Sequence, residues 1–523
     1  MKLILKIYIS IFIVLISLGC NKDILNTIPN DRITSDIFWT SEKDATIASN
    51  ALYTFLDGTN QLRRDVFSDI AHTNTEYGDY KAIEVGAYNA TSPVVETEWT
   101  NDYKGIQGAN YFLENVSKVV STDKSLITRL TGEVRFLRAY FYMNLVFIYG
   151  DVPLITKSIT IDEGRVVTRN AASEIWDYIY NELNTAANVL PAVASDKGRI
   201  TKGAALALNA RAMLYAKRYD KAAVLAKSVM DMGAYSLYPS YQRLFSYAAE
   251  SNNEVILDKQ FLKDVYSNNV MALFAPFSIL SNGVTMVPLK KIVDSYQMTN
   301  GKNILETGSG FDSFNPYKNR DPRLKYSVFV PGDTLPAGTV FDSRPNSGTA
   351  DAVGSGYQMS VTGYYVKKYI NKEDVNDLSN SGINIILIRY AEILLTYAEA
   401  KTELNQLDAS VYAAINTVRQ RPDVNMPLIN QSQTQADLRT TIRNERMVEL
   451  AFEGQRFFDI RRWAIALDVF NVPIAGLTYV NNGQLTTVFQ PGLVRSFKQR
   501  DYLWPIPQKE LDLNKNLVQN TGW

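Results

Sequence analysis

Apolar side chains recur along most of this chain with the 3.6-residue period of an α-helix. Ser41-Glu42-Lys43-Asp44 makes a capping box, and Ala48, Ala51, Leu52 and Phe55 then mark one helical face. Trp99, Tyr103, Ile106, Leu113 and Val116 predict a second helix. Leu130, Val134, Leu137, Phe141, Leu145 and Ile148 predict a third, stopped by Gly150 and Pro153. A fourth runs from Ala171 to Leu190 with Ile175, Ile179, Leu183 and Ala186 on one face. Residues 201–217 and 220–232 form an Ala-rich pair around Arg218-Tyr219-Asp220, and their small side chains let two antiparallel helices approach as in a tetratricopeptide hairpin of ~34 residues. Helices recur over 384–405, 408–421 and 434–470. Between about 235 and 383 the period breaks and Gly, Pro, Asn, Ser and Tyr accumulate, with short strands expected at Glu254–Leu257, Lys325–Val330 and Tyr364–Tyr369. The fold class is mainly α, a helical-repeat scaffold carrying a loop-rich insertion on which ligand contacts are expected.

The 523 residues, 46% apolar and 21% charged, have the composition of an ordinary globular chain. Lys plus Arg equal Asp plus Glu at 54 each, so no net field gathers polyanions and nucleic acid is not an expected partner. One histidine, His72, and one cysteine, Cys20, exclude two-imidazole zinc sites, disulfide scaffolds and Cys–His catalysis. No GxGxxG or GxxxxGK[ST] occurs, and no cofactor or metal site is expected. Tyrosine is over-supplied instead, 31 copies beside 22 Phe and 6 Trp, which makes surface able to stack and hydrogen-bond.

Lys2 and Lys6 precede an apolar stretch from Ile7 to Leu18 that leads into Gly19-Cys20, so residues 1–19 read as a signal peptide. Ile16-Ser17-Leu18-Gly19-Cys20 resembles the lipidation box of bacterial lipoproteins, with Ser17 where such boxes usually carry Leu, and Cys20 is the expected acyl acceptor. More than one acyl chain gives stable anchoring. The most apolar later run, Ile383 to Ala398, carries Arg389 and Glu392 and is expected to be a buried helix.

Six segments occur in a recognisable order: GEVRFLRAYFYMNLVFIYGDVPLI (132–155), GRITKGAALALNARAMLYAKRYDKAA (198–223), NRDPRL (319–324), LIRYAEILLTYAEAKTEL (387–404), ERMVELAFEGQRFFDIRRW (445–463) and YLWPIPQKELDLNKNLVQNTGW (502–523). With Cys20 they cover essentially the whole chain, which resembles the SusD/RagB family of outer-membrane nutrient-binding lipoproteins. The resemblance implies about four tetratricopeptide-like helix pairs packed on an irregular half with short strands. It also implies a SusC-like TonB-dependent transporter as partner, which the lipoprotein caps while binding oligomers at the cell surface. The expected organisation is a signal peptide (1–19), an N-terminal helical region (20–235) and a C-terminal region (236–523) whose insertion spans about 236–383.

Residue by residue, these motifs read as fold signatures. Arg446, Glu449, Glu453, Arg456 and Asp459 would share one face of a 445–463 helix as an ion-pair network; Arg135, Arg138, Arg389 and Glu392 are read likewise. Asp321-Pro322-Arg323 reads as a turn that blocks a helix, and Trp504-Pro505-Ile506-Pro507 as an extended pin for the C-terminus. His72 reads as a hydrogen-bonding surface residue. The ligand-site expectation rests on two aromatic, amide-rich loops offering Asn74, Tyr77, Tyr80 and Tyr88, and Tyr296, Phe314, Tyr317, Tyr357, Tyr364 and Tyr365, of which Asn74, Tyr77, Tyr80, Tyr88, Tyr296, Tyr317 and Tyr365 are the selected contacts. Sugars present apolar C–H faces and a rim of hydroxyls, which rings flanked by amides match. Trp99, within its helical stripe, is expected in the core. The expected function is non-catalytic capture of oligosaccharides or polysaccharides on an outer membrane, facing the exterior, for delivery to the transporter. Peptide capture is the alternative within the same architecture, and a surface glycoside hydrolase, which needs two carboxylates across the scissile bond, is the alternative of another class.

Overall fold

The computed structural model describes residues 38–523 apart from 76–77, 195, 281–282, 357 and 491. The signal peptide, Cys20, Tyr77 and Tyr357 lie outside the described residues. The first helix, α1 (Glu42–Tyr53), opens on the expected capping box: the Asp44 carboxylate accepts from the Ser41 N–H at 2.8 Å, and the Ser41 hydroxyl accepts from the Asp44 N–H at 3.4 Å. There follow α2 (Pro93–Asn115), α3 (Lys124–Tyr149), α4 (Ala172–Val189), α5 (Lys202–Tyr215) and α6 (Tyr219–Asp231). After the loop-rich segment come α7 (Tyr390–Glu403), α8 (Ala409–Arg419), α9 (Gln435–Glu449) and α10 (Arg456–Arg462). Each helix from α2 to α8 packs on the next, and α6 meets α7 although more than 150 residues separate them. Where α2 crosses α3, Gly105 lets the backbones close, since a Cβ there would lie 2.4 Å from the Phe141 ring. One continuous core runs from Trp39 to Ile506 and includes Trp99. No helix among the described residues is long and apolar enough to cross a membrane.

Among the described residues there are four two-stranded antiparallel sheets: β1 (Ala71–Thr73) with β3 (Met286–Pro288), β2 (Val255–Lys259) with β6 (Ile385–Arg389), β4 (Val328–Phe329) with β5 (Tyr365–Val366), and β7 (Ile474–Asn481) with β8 (Gln484–Gln490). Here the structure corrects three expectations. The apolar run from Ile383 opens as β6, and α7 begins only at Tyr390; all five β6 residues are buried, so no polar alternation marked them as strand. The 434–470 segment is not one helix. Phe452 and Gly454 turn the chain with φ of 63° and 79°, and a Cβ on Gly454 would lie 2.0 Å from the Gln61 carbonyl oxygen. Pro322 starts a helix where a block was expected: the Asp321 side chain accepts from the Arg323 N–H and caps residues 322–327, leaving only Val328 and Phe329 of the expected strand.

The ion-pair network therefore joins separate elements instead of running along one helix. Glu449, at the end of α9, accepts from Arg389 at 2.7 Å, Arg421 at 2.9 Å and Arg323 at 2.9 Å. Arg389 also holds Glu453 and Glu254, Arg421 holds Glu254, Arg323 holds Asp321 and Glu445, Arg419 holds Glu445, and Lys368 holds Glu453. Five carboxylates thus face five cations, all buried. The guanidiniums hold the Glu449 carboxyl far below the usual range against its burial, while burial pulls the Lys368 ammonium down to about 8. A neighbouring quartet sets Arg446 and Arg462 against Glu399 and Asp459. Arg135 and Arg138 pair with Glu182 between α3 and α4, and Glu392 pairs with Arg211 between α7 and α5.

Removing one charge from such a buried set leaves its partners uncompensated. Glu449→Gln is expected to cost about 3–5 kcal/mol in urea unfolding, whereas Asp512→Asn at an exposed pair should leave the midpoint nearly unchanged. Because the folded chain depresses the Glu449 pKa, its contribution is complete above the unfolded carboxylate value of about 4.3 and is lost as pH falls through the folded one. Urea midpoints of the wild type and Glu449→Gln should therefore converge on acidification.

Candidate functional site

Strand β2 starts beside the buried network at Glu254, still buries Asp258, and brings Lys259 and the following Gln260 and Phe261 towards the surface. Lys259 Nζ donates to the Thr54 and Leu56 carbonyls at 3.0 and 2.6 Å, tying β2 to the chain that leaves α1. On α2, Glu98, Asn101 and Asp102 fall three and four residues apart and so share a face. Together these segments enclose a cavity of about 500 Å³, whose walls include Asp57, Asn60, Glu98, Asn101, Asp102, Lys259 and Phe261. Across Thr54, Leu56 and Lys259 it meets a second depression of about 370 Å³ that Tyr53, Arg199 and Tyr266 help line. A third, of about 490 Å³, shares Lys197, Gly198, Arg199, Asp258 and Gln260 with the second. The three share lining residues along β2 and together are termed the groove.

The groove combines two kinds of chemistry. Phe261 and Tyr266 stack at 5.3 Å with planes 8° apart, held by paired backbone hydrogen bonds of 2.9 Å between Leu262 and Tyr266. Tyr266 is 45% exposed and Phe261 half-buried, so the Tyr266 ring faces solvent with Phe261 behind it. Behind the first cavity, Arg64 donates to Asp57 at 2.7 Å and to Glu98 at 2.6 Å, and the Tyr140 hydroxyl donates to Asp57 at 2.7 Å. Asp102 receives only a long 3.5 Å contact from Asn144 on Oδ1, and its Oδ2 has no hydrogen-bond partner. Burial raises the Glu98 pKa and lifts that of Asp102 well above the carboxylate range. Such walls offer ring faces, amides and carboxyl oxygens to a polyhydroxylated ligand.

The residues selected from sequence are not brought together here. Tyr296 and Tyr365 are fully buried in the core, and Tyr88 is buried against Trp504 and Trp523 with its hydroxyl on Asp501, which corrects their expected exposure. Tyr80 is half-buried, its ring stacked on Phe67 at 5.3 Å with the Arg63 guanidinium 3.7 Å from its centroid, so both faces are taken. Asn74 ties the chain to a distant loop, donating to the Met359 carbonyl and accepting from the Val361 N–H, each at 2.9 Å. Tyr317 is half-buried with its hydroxyl 3.4 Å from that of Tyr364, three residues from the exposed Phe314. His72 is not a surface residue: it is 1% exposed, with Nδ1 2.6 Å from Glu84 and Lys81 Nζ 3.4 Å from Nε2, while Arg495 reaches the same Glu84 oxygen at 3.2 Å. The groove residues were missed because Phe261 and Tyr266, five apart in a stretch without period, carry no sequence sign of stacking.

Comparison with known proteins finds relatives along nearly the whole chain. The profile described as SusD family matches residues 253–523, and that described as starch-binding associating with outer membrane matches residues 30–214. The chain is 25% identical to SusD-like protein P25 of Formosa agariphila over 98% of both chains. A SusD-like carbohydrate-binding protein from Bacteroides fragilis superposes with a TM-score of 0.85 at 29% identity, covering 92% of this chain and 100% of that one. A laminarin-binding SusD-like protein, at 24% identity and a TM-score of 0.71 over 93% of this chain and 100% of that one, shares the fold.

His72 supplies a direct check on the packing beside the groove-bearing half. Burial depresses its pKa despite Glu84, so the ring is neutral when folded and Nδ1–H donates to the carboxylate. In a tag-free sample the single imidazole resonance is expected to titrate below about 6.5. The unfolded chain takes up this proton first, so the stability held by neutral His72 is complete above that value and is lost as pH falls through the folded pKa.

Proposed function

The chain belongs to the SusD family, and from that premise we propose that it captures oligosaccharides in the β2–α2 groove without cleaving them. The observation that carries this reading is the Phe261–Tyr266 ring pair, with Tyr266 exposed, set beside a cavity walled by amides and carboxyls. A pyranose can lay its C–H face on the rings while its hydroxyls meet Asn60, Asn101 and the acidic wall. The likeness to a carbohydrate-binding protein over nearly the whole chain supports the same ligand class. The acyl chains expected on Cys20 hold the protein at the outer membrane, facing the exterior, and a SusC-like TonB-dependent transporter receives the cargo. Tyr317, beside the exposed Phe314, is a secondary contact in this proposal.

Capture needs no chemistry at the glycosidic bond, and the groove's best-placed carboxylates, Asp57 and Glu98, are both engaged by Arg64. Calorimetric titration of residues 21–523 against plant, fungal and host glycans and a peptide digest is expected to give saturable binding to one glycan class with no new products. Tyr266→Ala should weaken that binding by about 1 kcal/mol, roughly fivefold. New products would overturn the non-catalytic reading, and binding to peptides alone would replace the ligand class. Protease added to intact cells should digest the protein; survival until the outer membrane is opened would place it on the inner face.

A further inference from the structure

The β7–β8 hairpin turns apolar side chains outward. Thr478 pairs with Thr487 and Val480 with Leu485 across the strands, so with Phe489, two residues beyond Thr487, they share one face. The opposite face meets the core through Tyr479 and the buried Val488. A sheet with one solvated face normally turns polar residues to water, yet here Val480 is 46%, Leu485 39% and Phe489 51% exposed. No residue from Val469 to Val494 is charged, in a chain that is 21% charged, and β8 has no strand on its outer edge among the described residues. Charges or prolines commonly guard such an edge. The base of the hairpin is firm, because Leu477 is buried and its N–H donates to the Thr362 carbonyl at 2.8 Å.

Hydrogen-bonding groups lie between the apolar ones. The Thr478 and Thr487 hydroxyls bond each other at 2.8 Å, which uses one of their hydrogens and leaves the other free to donate. Asn481 and Gln484 add exposed amides at the turn. No ring or cation stacks on Phe489 among the described residues, whereas both faces of Tyr80 are taken. A stable protein partner needs roughly 800 Å² and about 20–30 residues a side, far more than these few side chains supply. A sugar ring needs one free aromatic face and a few groups for its hydroxyls. We propose that the solvent face of this hairpin is a second glycan-contact surface, with Phe489 against a sugar ring and Thr478, Thr487 and the turn amides on its hydroxyls. The inference rests on the glycan-capture reading and goes beyond the groove. A polysaccharide is held at two places, while a short oligosaccharide fills the groove alone. Two linked contacts retain a long chain although the second is weak by itself.

The test compares electrophoretic retention in gels containing starch, laminarin, mannan or xylan with titration of the matching tetrasaccharides. For the polysaccharide that retains the wild type, Phe489→Ala is expected to weaken retention about threefold or more and to leave tetrasaccharide affinity unchanged, whereas Tyr266→Ala weakens both. Phe489→Tyr should keep wild-type retention, and Thr487→Val, which preserves shape and removes a hydroxyl, should weaken it about twofold. Thermal midpoints and sedimentation of each variant separate a lost contact from lost folding or self-association. Retention unchanged in Phe489→Ala and Thr487→Val, tetrasaccharide affinity that falls with Phe489→Ala, tetrasaccharides bound with no polysaccharide retained, or a wild-type dimer that Phe489→Ala splits would each overturn the proposal and leave glycan capture intact. If neither polysaccharide nor tetrasaccharide binds, both readings fall.

Discussion

Glu449 is the point through which this fold is assembled. Its two oxygens take guanidiniums from three places, Arg323 in the loop-rich half, Arg389 at the end of β6 and Arg421 after α8. Each of those cations reaches another carboxylate, so the set closes on itself with equal numbers of opposite charges. Taking ten charges out of water is costly, and the attraction offsets that cost only when every partner is in place. The helical stack and the loop-rich half must therefore dock together or not at all. What the network supplies is geometry more than net stabilisation, because an apolar set of the same volume could hold as well.

That geometry reaches the groove through one strand. Glu254 sits in the network and is followed directly by β2, whose register against β6 fixes where Lys259 and Phe261 emerge. Lys259 then clamps the end of α1, and the short loop from Leu262 to Tyr266 turns one ring onto another. The platform stands on rigid elements at both ends, which lowers the entropy a ligand must overcome. The acidic wall comes from the opposite side, on α2, so the groove exists only while the two halves are joined.

Much of the helical half was legible in the sequence because its signals are local. The Ser41–Asp44 capping box, the stripes of α2 to α4 and the Gly150 stop all appear where the pattern puts them. The Asn482-Gly483 dipeptide, which turns the β7–β8 hairpin with positive φ at both residues, was an unread signal of the same kind. Long-range facts were not legible. Ile385–Arg389 looks helical because a strand buried on both faces shows no alternation, and only its pairing with β2 decides the matter. The tyrosines failed for a related reason. Composition counts aromatic rings without saying which are covered, and Tyr296 and Tyr365 sit in a loop-rich segment yet face the core. His72 sits among polar neighbours in sequence and reads as exposed, but Lys81 and Glu84 from the next helix and Arg495 from far along the chain surround it.

Amide hydrogen exchange with and without a saturating oligosaccharide locates the ligand site. Slowed exchange is expected to be confined to residues 54–60, the first half of α2 and residues 259–269. Protection appearing instead around residues 74–88 and 296–317, with the groove segments unchanged, would contradict it.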